Sequence, residues 1–162
     1  MENLLLIFEN ISSVNRALII VSGITIFWII EGIVPFKFHN YRKWKHSIPN
    51  FLLTLTTIIV NFLFAFLLVF AADWTNENNF GVIHLVNSTT LVSVILGLLV
   101  LDLIGAYLPH LVQHKVKLLW YIHIVHHTDH NVDTTTANRH HPFESVVRFI
   151  FTFVGIFISG AP

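Results

Sequence analysis

The chain has 162 residues, 54% of them hydrophobic and only 11% charged, with 9 basic residues, 9 acidic residues and 11 histidines. Soluble domains carry about 25% charge, so this balance, with runs of about twenty apolar residues, points to a single integral membrane domain. A net charge of zero gives no electrostatic case for nucleic acid, and the lack of cysteine excludes disulfides, thiolate zinc sites, iron–sulfur clusters and a cysteine nucleophile.

Residues 1–16 read as a short interfacial helix. Their start, MENLLLIFEN, lacks a positive n-region and a small-residue cleavage site, so it reads as mature sequence rather than a signal peptide. Residues 17–36 form a first span, with Glu31 near its end and Pro35 at a helix boundary. Residues 37–49 are a basic, aromatic loop with Lys37, Arg42, Lys43 and Lys45 and the interfacial anchors Tyr41 and Trp44. His39 and His46 read here as polar interfacial residues. Residues 50–72 form a second span, whose Asn61 is expected to bond to a neighbouring helix. The loop over 73–88 has acids but no Lys or Arg, and its His84 reads as incidental.

Residues 89–108 form a third span, with Asp102 in its last third. Residues 109–145 are a histidine-rich helical segment, and 146–162 are apolar but short: a truncated fourth span that looks cut off, because it ends on Pro without a polar cap. The fold class is therefore all-α and multi-pass, with three full spans plus this fourth apolar helix. Lys and Arg crowd the loop after the first span and the segment after the third (Lys115, Lys117, Arg139, Arg148). The positive-inside rule then places both on the cytoplasmic face and the N-terminus outside.

Eight of the histidines fall within residues 102–144. Neutral imidazole is the commonest metal ligand. His110 and His114 are four apart, and His123, His126 and His127 form an HxxHH run. On helices such spacings put each set on one face, able to aim at a single point. Buried imidazoles without partners are costly, and a metal supplies partners. The bland alternative is a solvated histidine-rich loop that binds nothing specific. Nitrogen ligands suit zinc, iron, copper or nickel. No acid lies between the paired histidines, so the HExxH zinc-protease pattern is absent. A structural zinc takes four ligands, and the surplus here favours two metals. A metal transporter fits poorly, since its ligands should line a path inside the spans.

Taken together these residues resemble the fatty acid hydroxylase/sterol desaturase superfamily of membrane-bound non-haem di-iron oxygenases. The likeness rests on HxxxH at His110/His114, HxxHH at His123/His126/His127 after Trp120, and the stretch Arg139-His140-His141-Pro142-Phe143-Glu144. Asp102 and Tyr107 precede the first motif as in the family, and Glu31, Pro35, His46 and Asn50 are similar to its first hairpin. The resemblance implies two iron ions and O₂ acting on a lipid C–H bond, to hydroxylate or desaturate it, with an external electron-transfer protein or reductase as donor. It implies His110, His114, His123, His126, His127 and His141 as metal ligands. Ligating histidines usually donate their other N–H to a carboxylate, and Asp102, Asp129 and Glu144 are the candidates. Arg139 is expected to pair with an acid, Glu144 or Asp133, and Glu31 to be a structural partner. The family's last histidine box is absent from the sequence. A truncated copy, half of a split enzyme that keeps the fold without a complete site, and a chain completed by a second chain all fit that departure.

Overall fold

A computed structural model describes residues 10–34, 42–86 and 89–160, and the described residues are helical, with no strand. The expected interfacial helix lies mostly in residues 1–9, outside the described residues, as do Pro35, Lys37, His39 and Tyr41.

Helix α1 spans Ser13–Ile33, and its N-cap Ser12 accepts a hydrogen bond from the Asn15 backbone N–H. No α1 residue is buried within the protein. A helix apolar all round and uncovered by protein belongs in lipid. Among the described residues, its polar tethers to the rest of the protein are at its C-terminal end. There Glu31 accepts from the backbone N–H and the hydroxyl of Thr134, each at 3.0 Å, and lies 3.6 Å from Lys43 Nζ.

Helix α2, Lys43–Glu77, starts seven residues before the expected second span and ends five after it. At about 1.5 Å per residue it is about 52 Å long, well beyond the roughly 30 Å of hydrocarbon it crosses. Its polar first turns therefore extend past the membrane core, carrying His46 and Asn50 to the site described below. Asn61 is exposed and makes no hydrogen bond to another described helix.

The short helix α3, Val82–Leu85, precedes α4, Thr90–Asp102. A π-helical turn, Leu103–Tyr107, joins α4 directly to α5, Leu108–Lys115. The third apolar run therefore continues past residue 108 and includes the first histidine pair. Two residues account for the π turn. Pro109 has no N–H to return to Gly105, and the Leu108 N–H reaches back five residues to the Leu103 carbonyl. Gly105 is buried against Thr152, and a Cβ there would sit 3.1 Å from Thr152 Oγ1. The extra residue has a geometric result. Eight α-helical positions overshoot two turns by about 80°; with the π turn absorbing one residue they turn about as seven would, roughly 20° short of two turns, which sets Asp102 on the side of His110.

Helix α6, Lys117–His127, is followed by a 3₁₀ turn, Thr134–Asn138, and by α7, Pro142–Ser159. Helix α7 runs parallel to α2, with Phe149 stacked on Phe64 at 4.4 Å and Phe157 against Trp74 at 5.5 Å. Gly160, in the left-handed region at φ 73°, closes it and donates its N–H to the Ile156 carbonyl. Among the described residues, four helical runs are long and apolar enough to cross a membrane. Beside these aromatic contacts, the fully buried residues are mostly small or polar. Ala71 and Ile156 are the buried hydrophobics among the described residues, while Ser47, Asn50, Thr75, Gln113, His123 and Glu144 are buried. That inversion suits a solvent of lipid tails, where large apolar side chains lose nothing by facing outward.

Candidate metal centre

The C-terminal end of α1, the N-terminal ends of α2 and α7, and the far end of α5 meet at one end of the bundle. Between α5 and α6 stands a single extended residue, Val116 (φ −95°, ψ 114°). This elbow turns α6 back on α5 and brings the two histidine motifs face to face. His110 and His114 approach Nε2 to Nε2 at 3.1 Å, and His123 and His127 at 3.2 Å. Across the elbow the ring centroids of His110 and His114 each lie 4.8 Å from that of His123, and His114 lies 5.0 Å from His127. Ligand atoms of His110, His114 and His123 all fall within 4.8 Å of one another. Trp120 packs against His114 and His127, at 5.3 and 5.5 Å, and covers one side.

These distances fit a metal. Two nitrogens bound to one ion at about 2.1 Å are about 3.0 Å apart at a right angle and about 3.4 Å apart in a tetrahedron. Both Nε2 pairs fall inside that interval. Burial also keeps the rings in the ligating form. It pushes His123 below the ordinary histidine value, with His110 and His127 adding to the shift and Glu144 opposing it. His126 is lowered in the same way, by burial first and then by His140. A neutral imidazole offers a lone pair; an imidazolium does not.

Glu144, in the first turn of α7 and 2% exposed, accepts from His123 Nδ1–H at 3.2 Å. This holds the His123 Nε2 toward the cluster, the arrangement by which a carboxylate fixes a ligand's tautomer and aim. His140 Nδ1 lies 3.0 Å from the same Glu144 oxygen, and its ring stacks on His126 with centroids 4.9 Å apart. A cavity of about 340 Å³ opens beside these groups, lined among others by Asp102, Tyr107, Gln113, His126 and Arg148.

Several expected roles fall differently. His141 is not brought into the cluster. Pro142 opens α7, which makes His141 its N-cap, and its Nδ1 turns back to accept from the Phe143 N–H at 3.2 Å. The neighbouring His140 takes the inward place. Asp102 lines the cavity but makes no hydrogen bond to a histidine among the described residues. Asp129 serves a different histidine: His46 Nε2 is 2.7 Å from Asp129 Oδ1, while His46 Nδ1 is 3.1 Å from Asp133 Oδ2. His46 is thus held between two carboxylates rather than standing as a plain interfacial residue. Burial pushes the Asp129 carboxyl up, but hydrogen bonds from His46, Thr136 and the Asn131 N–H outweigh it and lower it to about 2.

Arg139 pairs with neither Glu144 nor Asp133. It donates to the Val125 carbonyl at 3.0 Å and to Asn50 Oδ1 at 2.9 Å, with Asp129 4.0 Å away. Asn50, fully buried on α2, also donates to Thr135 at 2.8 Å. Residues 129–139 are therefore strapped to α2 by His46 and Asn50 and to α1 by Glu31. His84, read as incidental, lies 3.2 Å from the Gly160 carbonyl through Nε2 and ties α3 to the end of α7. A signal for His140 was present: the residue before a helix-opening proline is an N-cap, whose side chain normally turns to the first amides.

Searches of curated proteins and of solved structures give no match. Residues 94–162 match the fatty acid hydroxylase family. The match begins within α4 and takes in both histidine motifs, the strap, Glu144 and α7. That segment therefore carries a fatty acid hydroxylase domain, in agreement with the superfamily that the histidine motifs resemble.

Proposed function

We propose that the chain is a membrane-bound non-haem di-iron oxygenase that hydroxylates or desaturates a C–H bond of a lipid, with O₂ as oxidant and electrons from an external protein or reductase. The observation that carries this is the convergence of His110, His114, His123 and His127 at one end of four apolar helices, inside the matched domain. These four rings would hold one iron, and His126 faces the place of another. Iron bound there supplies the activation of oxygen needed to attack an unactivated C–H bond.

The chain's own residues do the rest. Glu144 orients His123, and Trp120 shields the rings from water on one side. The cavity is large enough for the reacting stretch of a lipid, with Tyr107 and Arg148 at its wall. The remainder of the lipid would lie along the exposed apolar face of α4 and the start of the π turn, where Leu98, Leu99 and Leu103 are open to the bilayer. The charge pattern of the loops favours the cytoplasm for this end, where reduced carriers are available.

A second reading, a chain that keeps the fold without catalysis or that needs a partner chain, is favoured by one observation: the sequence holds no further HxxHH motif. One experiment separates the two. The purified chain, loaded with iron without oxygen and then given O₂, a reductant and membrane lipid, is assayed by mass spectrometry for hydroxylated or desaturated lipid. Product that disappears in His123→Ala supports the oxygenase; iron-loaded chain that yields none sinks it.

A further inference from the structure

The HxxxH and HxxHH motifs account for one convergent group of rings. They leave the surroundings of His126 unexplained. His126 Nδ1 is buried with no hydrogen-bond partner, and so is Glu144 Oε2. Gln113, 1% exposed, has an unpartnered amide nitrogen. All three residues line the same cavity. Buried polar atoms without partners are rare, and three around one cavity call for a bound group.

His140 completes the pattern. Its ring lies parallel to that of His126, 11° between planes and 4.9 Å between centroids. Its Nδ1 is 3.0 Å from Glu144 Oε1, the oxygen that also receives His123 Nδ1–H; this is an ion-pair contact outside hydrogen-bond geometry, and it leaves His140 Nδ1 as a fourth buried atom without a hydrogen bond. A carboxylate closing on Nδ1 as metal binds would leave Nε2 as the lone-pair nitrogen, the form that binds metal. One buried carboxylate therefore sets two histidines, His123 in the first ring cluster and His140 beside His126. His141, next in sequence, is occupied as the helix cap.

We propose that His140, and not His141, is a ligand of a second metal position beside His126, and that Glu144 couples the two positions by holding His123 and His140 from behind. The inference rests on the metal-centre reading above. It assigns Glu144 as a positioning residue: it acts on the metals through the two rings and contacts neither reactant.

The test is metal retention, independent of turnover. Purified wild-type chain in detergent, His123→Ala, His140→Ala, His141→Asn and Glu144→Gln are loaded with iron and compared for bound metal and for release rate to a chelator. Asn keeps the cap of α7, so His141→Asn removes the imidazole while preserving the helix start. Helix content and elution volume confirm that each variant folds. Expected are loss of about one metal per chain in His140→Ala, full retention in His141→Asn, and release about 10- to 100-fold faster in Glu144→Gln. A folded His140→Ala with wild-type metal content and release overturns the assignment while leaving the centre intact, provided His123→Ala loses metal. Metal kept by His123→Ala, or none bound by the wild type, overturns the centre and the inference with it.

Discussion

Substituting Gly105 by Val tests whether the π turn exists to let α7 approach. The Cβ of any side chain at 105 would lie 3.1 Å from Thr152 Oγ1, 3.4 Å from Thr152 Cα and 3.6 Å from its Cβ. The first contact involves a small hydroxyl, but the second is backbone and cannot rotate away. Alanine should therefore cost little, because only the hydroxyl must give by a few tenths of an ångström. Valine adds two methyls to a closed contact, and overpacking of that kind costs about 1–3 kcal/mol. The effect should be local to the α7 crossing. Removing the hydroxyl with Thr152→Ala should return part of the loss, about 0.5 kcal/mol or more, as coupling between touching residues. The assay is unfolding of detergent-solubilised protein followed by circular dichroism, run as a double-mutant cycle. A neutral Gly105→Val, or a Thr152→Ala that returns nothing, would refute the close approach.

Other perturbations probe the strap over residues 129–139. Asn50→Leu removes the acceptor of Arg139 and the donor to Thr135 in a fully buried position, and a lost bond to a charged donor costs about 1.5–3 kcal/mol; an unchanged unfolding midpoint would show that α2 does not hold the strap. Asp129 gives a pH dependence of stability. Its carboxyl is lowered from 3.8 to about 2 in the folded chain, so its contribution is complete above pH 4 and is lost as pH falls from about 4 to about 2. With the side chain 3% exposed, that contribution is on the order of 2 kcal/mol. The unfolding midpoint of the wild type should approach that of Asp129→Asn across this window, and parallel curves would refute the clamp on His46. Gly160→Ala should destabilise the junction of α3 and α7, since φ is 73° and a Cβ would meet the Phe80 carbonyl oxygen; a midpoint equal to wild type would remove that junction from the fold.

The apolar runs showed themselves in the sequence because lipid-facing helices need length and hydropathy and little else. The histidine spacings were equally legible: residues four apart on a helix share a face, and two such faces were needed to make a site. Tertiary placement was not legible. Nothing in the spacing of His140 and His141 distinguishes which ring turns inward; Pro142 decides it by making His141 a cap. Asp129 and Glu144 look alike in sequence, as acids near histidines. One faces His46 on α2 and the other His123 and His140, because the strap folds outward before α7 turns back. The length of α2 was underestimated because its first turns are polar. They are helical because Asn50 and His46 find their partners on the strap rather than in lipid or water. The π turn left a trace in Pro109 and Gly105, but its effect on the placing of Asp102 depends on α7.

The central claim is that the converging rings hold a metal pair, and the most direct measurement is metal content of the detergent-purified chain by mass spectrometry, set beside His123→Ala. Close to two irons per chain are expected for the wild type, falling sharply in the folded variant, because His123 is buried in the first ring cluster and shares Glu144 with His140 of the second. Zinc at one or fewer per chain, or a His123→Ala that keeps its iron, would contradict it.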